Sequence, residues 1–174
     1  MRGWSSFVAY QGAYNVGSRG IEADVLPMSR ALGLSVLAFD LLGGGALTGK
    51  FNRPEGPGEP TRARRIDESS RAAADVVLRV AEEVGRTPSQ VAIHWVTRRA
   101  PNVIPIVGAR RLSQLEDNLG ALDFELTPEQ MDALTAIRPL PREYPHTFWN
   151  DFIRRDLIYG QSVDSLRTDR WPPL

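Results

Sequence analysis

The chain has 174 residues with 21 basic and 21 acidic side chains, so it can bury a hydrophobic core in one domain and has no net charge pointing to nucleic acid or a membrane surface. The absence of cysteine excludes disulfides, thiolate metal sites and a cysteine nucleophile. No stretch has the length of a membrane span and no signal-peptide pattern opens the chain, which predicts a cytoplasmic protein without a membrane or nucleic-acid partner.

The first half of the chain predicts two strands joined by a helix. Residues 6–11 have a strand-like composition, and residues 21–32 predict a helix with Glu22 and Asp24 in its first turn. Residues 34–42 form a mostly apolar run, typical of a strand that is covered on both faces. A long polar loop follows over residues 43–68, rich in glycine, proline and arginine, and loops of this length are often lids.

The second half predicts one more strand and several helices. A stripe of alanine and valine gives residues 70–85 a helical period. Residues 87–90 and 127–130 are capping boxes with proline at the first helical position, so each marks the start of a helix. Residues 103–107 predict the third strand, and residues 112–119 predict the helix after it.

This order of elements predicts an α/β domain with a parallel sheet, because strands separated by helices are joined by right-handed crossovers. The domain is expected over residues 1–138, followed by an irregular, proline-rich and aromatic tail over residues 139–174. Three strands alone would leave both edges of the sheet bare. We therefore expect these strands to be part of a larger domain.

Residues 103–118 carry the strongest local indication of function, because a buried strand, a glycine turn and a helix start form the usual seat of a phosphate. Arg110 and Arg111 place two permanent cations beside that turn. The polar side chains that follow at one-turn spacing are Gln114, Asp117 and Asn118. A nucleotide site is one interpretation, and an ordinary helix with a solvated basic start is the other; this segment alone does not decide between them.

Two segments carry a resemblance to a known family. The first ends in the run LAFDLLGGGALTGKF, and the second is VIPIVGARRLSQLEDN. In this order they resemble the C-terminal half of an aldo-keto reductase, over about residues 3–137. The resemblance implies an incomplete (β/α)8 TIM barrel, of which the three strands would be the sixth, seventh and eighth. It also implies NADP(H) as the cofactor and the reduction of aldehydes and ketones by hydride transfer.

The resemblance further implies which residues would bind the cofactor. Gln11 would hold the nicotinamide carboxamide, and the Phe39 ring would stack on the nicotinamide face. Backbone contacts to the pyrophosphate would come from Leu42, Gly43 and Gly45. A lid over residues 43–69 would contribute Thr48 and Lys50. The adenosine and its 2′-phosphate would be gripped by Gly108, Arg110, Gln114, Asp117 and Asn118.

Three positions depart from the family pattern. Asp40, also counted in the cofactor site, stands where serine is usual and places an acidic group near the cofactor phosphates. Leu41 replaces a proline, and Asp117 replaces a glutamate.

The family's catalytic tyrosine, lysine, aspartate and histidine belong to the first half of the barrel, and no residue here matches them. No catalytic or metal-binding residue is therefore expected in this chain, and Tyr14 and His94 are expected to be packing residues.

Three hypotheses about the whole molecule stay open at this point. The chain is the C-terminal portion of an NADP(H)-dependent aldo-keto reductase, inactive alone and acting on a small carbonyl substrate once an N-terminal half completes it. Alternatively, it is a non-catalytic NADP(H)-binding or regulatory module that docks on a partner chain. A third possibility is that two copies associate through their open strand edges.

Overall fold

The computed structural model describes part of the chain in detail, namely residues 3–51, 68–140, 158 and 160. The chain divides into the two units Met1–Leu140 and Pro141–Leu174. The predicted tail over residues 139–174 lies almost wholly outside the described residues, and so do residues 52–67 of the predicted lid. The strands and helices with two defined ends all belong to the first unit.

Strands and helices alternate as the sequence predicts. They are β1 (Ala9–Ala13), α1 (Val25–Leu32), β2 (Ser35–Phe39), α2 (Glu68–Val84), α3 (Pro88–Arg99), β3 (Val103–Pro105), α4 (Leu112–Leu119) and α5 (Pro128–Ala136). Short 3₁₀ turns lie at Gly20–Glu22, Gly43–Thr48 and Gly120–Leu122. The described strands form one parallel sheet in the order β1-β2-β3, which confirms the expected α/β class.

The strand ends differ from the prediction because backbone pairing sets them. β1 begins at Ala9 rather than at residue 6, since Ala9 is the first residue in register with β2, opposite Ser35. β2 ends at Phe39, because the next residue, Asp40, has a left-handed backbone with φ 58° and turns the chain out of the sheet. A strand-like sequence pattern predicts that a strand is present. It does not show which residues the neighbouring strand pairs with, and that pairing sets the ends of the strand.

The helix starts follow local chemistry closely at two places. Thr87 caps α3 and Thr127 caps α5, and each hydroxyl accepts a hydrogen bond from the N–H three residues later. The predicted helix over residues 21–32 begins later, at Val25, whose N–H is capped by the Asp24 carboxylate at 2.6 Å. The prediction that Glu22 lies in the first turn of this helix was wrong.

The two faces of the sheet have different surroundings. Residues paired across parallel strands point to the same face. Val36, Ala38 and Val103 on one face are buried in the core. On the other face Phe39 is 42% exposed and Ile104 is 49% exposed, so no described helix covers that face.

The core centres on Trp95 of α3, which is fully buried. Its ring meets the ring of Tyr14 with the centroids 5.5 Å apart and the planes tilted by 42°. Its Nε1–H donates to Thr135 Oγ1 on α5 at 3.2 Å. The side chain thus joins the loop after β1 to two helices, as large aromatic residues with one polar atom commonly do.

The Glu22 carboxylate lies in a buried ion cluster instead of in the first turn of α1. Glu22 Oε1 accepts from the Tyr14 hydroxyl at 2.7 Å and from Arg19 Nε at 2.8 Å. Glu22 Oε2 accepts from Arg19 Nη2 at 2.7 Å and from Arg99 Nη2 at 2.9 Å. Because Arg99 ends α3, the cluster ties that helix to the loop after β1. Both guanidinium groups also lie within 6 Å of the Trp95 ring centre, at 5.8 Å and 5.7 Å.

The cluster shifts the protonation of its acidic members. Burial by itself would raise the pKa of Glu22, but hydrogen bonds from Arg19, Arg99 and Tyr14 outweigh it and lower that pKa to about 2. Burial, followed by the hydrogen bond to Glu22, raises the pKa of the Tyr14 hydroxyl well above its usual value. Glu22 is therefore a carboxylate that the fold requires in its charged form.

We expect acid to destabilise the fold through Glu22. Its folded-state pKa lies below the unfolded value, so the carboxylate stabilises the fold above the unfolded pKa, and this stabilisation is lost as pH falls from about 5 to about 2. Between pH 7 and about pH 3 the wild type should lose about 2 kcal/mol of unfolding free energy that Glu22→Gln does not lose. Urea titrations followed by tryptophan fluorescence measure this difference.

Glu82→Gln is the matched control, because Glu82 is exposed on α2 and lies outside the cluster. Glu22→Gln should also be less stable at pH 7, since Arg19 would stay buried without its charged partner. An equal loss on acidification in the wild type and Glu22→Gln would contradict the assignment.

Candidate functional site

The carboxyl ends of the three described strands meet at one edge of the sheet. Tyr14 N donates to Phe39 O at 3.1 Å just beyond β1, and Ile106 N donates to Ala38 O at 2.7 Å just beyond β3. The loops after all three strands therefore leave from the same edge. In open and closed α/β sheets this edge is where ligands bind, so we take it as the candidate site.

Gln11 and Phe39 lie on the uncovered face beside this edge. Gln11 is in register with Leu37, and Ala13 is in register with Phe39. The side chains of Gln11 and Phe39 thus belong to the same face of adjacent strands, as diagonal neighbours, and both residues are exposed. The structure brings the two predicted nicotinamide residues together, with an aromatic surface beside an amide group.

The loop after β2 is a tight glycine turn. Residues 43–45 are glycines with φ of 57°, 63° and 93°, in the region that side-chain-bearing residues rarely adopt. A Cβ added to Gly45 would lie 2.7 Å from Lys50 Nζ, so the lysine ammonium lies directly against the turn. Thr48 Oγ1 donates to Gly45 O at 2.8 Å. Lys50 therefore lies against the turn and the hydroxyl of Thr48 bonds to it, while their predicted role in a lid over the diphosphate stays a prediction.

Asp40 leads into this turn and is the one non-glycine with positive φ among the described residues. Its carboxylate Oδ1 accepts from Gly44 N at 2.7 Å. Its carbonyl oxygen accepts from Gly43 N at 2.9 Å and from Asn15 Nδ2 at 2.7 Å. Asp40 thus organises the turn through both its backbone and its side chain.

Asn15 is a positioning residue that the sequence analysis missed. It is 3% exposed, and its Oδ1 is held by Gly17 N at 2.9 Å while its Nδ2 reaches Asp40 O. Its place two residues after the end of β1, where polar side chains serve the site, is the signal that could have found it. Its partner lies 25 residues away, which the sequence does not reveal.

The loop after β3 and the start of α4 contain the second group of predicted residues. Gln114 Oε1 accepts from Arg110 N at 2.9 Å and from Arg111 N at 3.3 Å, so Gln114 caps the start of α4. Asn118 is buried, and its Nδ2 donates to Gly108 O at 3.4 Å. In the described structure these two amides shape the loop, while both arginines are exposed at its surface.

Asp117 joins two helices in this structure. Its carboxylate accepts from Thr87 Oγ1 at 2.9 Å and 3.2 Å, and its carbonyl oxygen accepts from Gln90 Nε2 at 3.0 Å. Thr87 and Gln90 are the capping pair of α3. The contact of Asp117 with adenosine stays a prediction, and its tie to the α3 cap is what the structure shows.

Leu42 and Gly108 complete the predicted set. Leu42 lies at the start of the glycine turn, where its carbonyl accepts from Gly45 N at 2.9 Å and Leu47 N at 3.2 Å. A Cβ added to Gly108 would meet no heavy atom within 4 Å, so the backbone there is open to approach. The predicted roles of the whole set in binding a cofactor stay predictions.

The remaining titratable side chains near the core are engaged in packing. His94 is buried, with Nδ1 at 2.8 Å from Ala121 O and its ring stacked on Phe124. Tyr14 donates its hydroxyl to Glu22. Residues 3–51 and 68–140 contain no group of three or more histidine, aspartate or glutamate side chains that could hold a metal ion. No helix in the same part of the chain is long and apolar enough to span a membrane.

Comparisons with known proteins identify similar sequences along most of the chain. The sequence model of the Aldo/keto reductase family matches residues 1–139. A probable aryl-alcohol dehydrogenase of Saccharomyces cerevisiae is 33% identical over 156 residues, which cover 86% of this chain and 47% of that protein. The NADP(+) aryl-alcohol dehydrogenase of Phanerodontia chrysosporium is 30% identical over 99% of this chain and 46% of its own length. This chain thus spans about half the length of these curated relatives.

A solved structure shows the same fold. The crystal structure of a thermostable aldo-keto reductase in complex with the inhibitor epalrestat matches with a TM-score of 0.59 and 23% identity. The match covers 77% of this chain and 41% of that one. It relates the described α/β unit to the (β/α)8 barrel family.

The tie between Thr87 and Asp117 can be measured as a coupling energy. We expect Thr87→Ala and Asp117→Ala to interact by about 1 kcal/mol in a double-mutant cycle, because each removes the same hydroxyl–carboxylate hydrogen bond. Urea unfolding of the wild type, both single variants and the double variant gives the coupling. Thr87→Ser keeps the hydroxyl and should retain most of the coupling energy. Strictly additive losses of stability would refute the hydrogen bond between Thr87 and Asp117.

Proposed function

The chain belongs to the aldo/keto reductase family, and from that membership we propose that it forms the cofactor-binding C-terminal part of an NADP(H)-dependent reductase of aldehydes and ketones. The observation that carries the proposal is the strand edge, where the exposed Phe39 ring and Gln11 amide share one face with a glycine turn beside it. An aromatic surface, an amide and a cationic glycine turn are the groups that a nicotinamide dinucleotide needs.

The residues at the edge fit such a cofactor chemically. A Cβ added to Gly44 or Gly108 would meet no heavy atom within 4 Å, so a diphosphate can approach the backbone in both loops. Lys50 lies against the turn, and Arg110 is exposed in the loop after β3. The cofactor supplies the hydride to the carbonyl carbon when bound. The residues of this chain bind its phosphates, orient its ring on Phe39 and shield that ring on one side.

We propose NADP(H) rather than NAD(H) because Arg110 offers a planar fork of donors to a 2′-phosphate. The name of the Phanerodontia chrysosporium relative specifies NADP(+), which supports this choice. Two of the similar proteins are named aryl-alcohol dehydrogenases. Aryl aldehydes are therefore the first substrates to test.

We propose further that strand–helix units outside this sequence complete the barrel and bring the catalytic acid. Uncovered apolar side chains on three surfaces support this part of the proposal. On the sheet face they are Phe39, Ile104 and Ile106; on α1 they are Met28 and Leu32; on α4 they are Leu112, Leu115 and Leu119.

These surfaces have a common geometrical meaning. α1 joins β1 to β2 and contacts β2, and α4 follows β3, the last described strand. In a closed barrel each helix packs against neighbours on both sides, and the inner face of the sheet packs on itself. Exposed apolar area on α1, on α4 and on the uncovered sheet face is what a section of such a barrel leaves in water.

The choice of NADP(H) is tested by replacing one arginine at a time. Arg110→Met should weaken NADPH binding at least tenfold and change NADH binding little, because only NADPH carries the 2′-phosphate. Arg111→Met is the matched control, as it removes the neighbouring exposed cation from the same loop. Fluorescence titration with both nucleotides measures the affinities. Equal losses for NADPH and NADH would contradict the assignment of Arg110.

An activity assay tests the proposal that the catalytic acid lies outside this sequence. The purified chain should show no NADPH-dependent reduction of an aryl aldehyde, because it would have the cofactor site without the acid. Turnover by the chain alone would overturn the claim that the acid lies elsewhere. NADPH binding is expected of both the reductase part and a self-contained binding module, so the state of the chain in solution separates them. A monomer that stays monodisperse and stable despite its uncovered apolar faces would favour the module, and a stable dimer by light scattering would favour paired sheet edges.

A further inference from the structure

Asp40 places a carboxylate inside the glycine turn. Its Oδ1 lies 2.7 Å from Gly44 N, and the residue is exposed at the candidate site. A carboxylate that accepts a backbone N–H there stands in for an anionic ligand. We infer that Asp40 competes with the cofactor diphosphate for this turn and so sets the affinity of the site, an inference that rests on the proposed function.

The backbone of Asp40 is held independently of its side chain. Its carbonyl oxygen accepts from the buried Asn15 amide at 2.7 Å and from Gly43 N at 2.9 Å. These bonds keep φ at 58°. Within residues 3–51 and 68–140, the carboxylate makes one hydrogen bond, to Gly44 N. A side-chain rotation alone therefore frees the Gly44 N–H, and the turn keeps its shape when the carboxylate leaves.

The Asp40 carboxylate and the cofactor diphosphate are both negatively charged, and they compete for the Gly44 N–H. Lys50 lies against Gly45 and offers one cation to the turn. With the Asp40 carboxylate in place, an incoming diphosphate meets a like charge as well as an occupied Gly44 N–H. Removing the charge at residue 40 should therefore strengthen the binding of diphosphate-containing ligands.

The test is a comparison of four proteins: the wild type, Asp40→Asn, Asp40→Gly and Asp123→Asn. Asparagine keeps the shape and tolerates positive φ, and glycine suits that φ while lacking a side chain altogether. Asp123→Asn is the matched control, because Asp123 is an exposed acid beyond the end of α4. Fluorescence and calorimetric titrations would use NADPH and, as a ligand without a diphosphate, adenosine 2′-monophosphate.

We expect Asp40→Asn and Asp40→Gly to bind NADPH about tenfold more tightly than the wild type, which corresponds to about 1.4 kcal/mol. Asp123→Asn should bind NADPH as the wild type does. The affinity for adenosine 2′-monophosphate should be the same in all four proteins, because that ligand does not reach the glycine turn.

The outcomes separate this inference from the function on which it rests. Unchanged or weaker NADPH binding in both Asp40 variants would overturn the competition and leave the cofactor site standing. An equal gain with adenosine 2′-monophosphate would show a general charge effect and would also overturn it. If none of the four folded proteins bound NADPH, the proposed function would fail and this inference with it.

Discussion

The alternation of side chains along three parallel strands is the constraint on which this structure depends. Each strand sends successive residues to opposite faces, and the described helices cover only one of them. The covered face forms the core under Trp95. The uncovered face carries Gln11 and Phe39 at the edge where the strands end. The unpacked face of the sheet and the candidate cofactor site are thus the same surface.

The loop after β1 links the core to that site. Tyr14 points into the core, where it meets Trp95 and donates to Glu22, while its neighbour Asn15 reaches the carbonyl of Asp40. Arg99 ties the same cluster to the end of α3. The loop after β1 therefore connects the packed helices to the glycine turn, so the position of the turn depends on buried contacts in the core.

The glycine turn carries both a cation that favours an anionic ligand and a carboxylate that opposes one. Three glycines with positive φ and the Lys50 ammonium favour a phosphate, and the Asp40 carboxylate occupies one of the backbone donors. Two further donors in the second loop, Arg110 N and Arg111 N, are taken by Gln114. In the described structure the N–H groups of Gly44, Arg110 and Arg111 thus have acceptors within the chain.

The sequence by itself determined the class of the fold, the order of its elements and the starts of α3 and α5. Those starts depend on residues three apart, Thr87 with Gln90 and Thr127 with Gln130, and such bonds form wherever the helix forms. The likeness of its motifs to a family also indicated which loops would meet at the strand edge, because parallel strands always end together.

The tertiary structure alone decided what depends on distant partners. The true start of β1 follows from its register with β2. Glu22 lies outside the helix predicted for it, and its carboxylate bonds to Arg99, 77 residues away. Asp117 bonds to a cap 30 residues earlier, and Asn15 finds Asp40 at a separation of 25. Local patterns encode hydrogen bonds within one turn of chain, whereas these contacts exist only after packing has brought separate elements within reach.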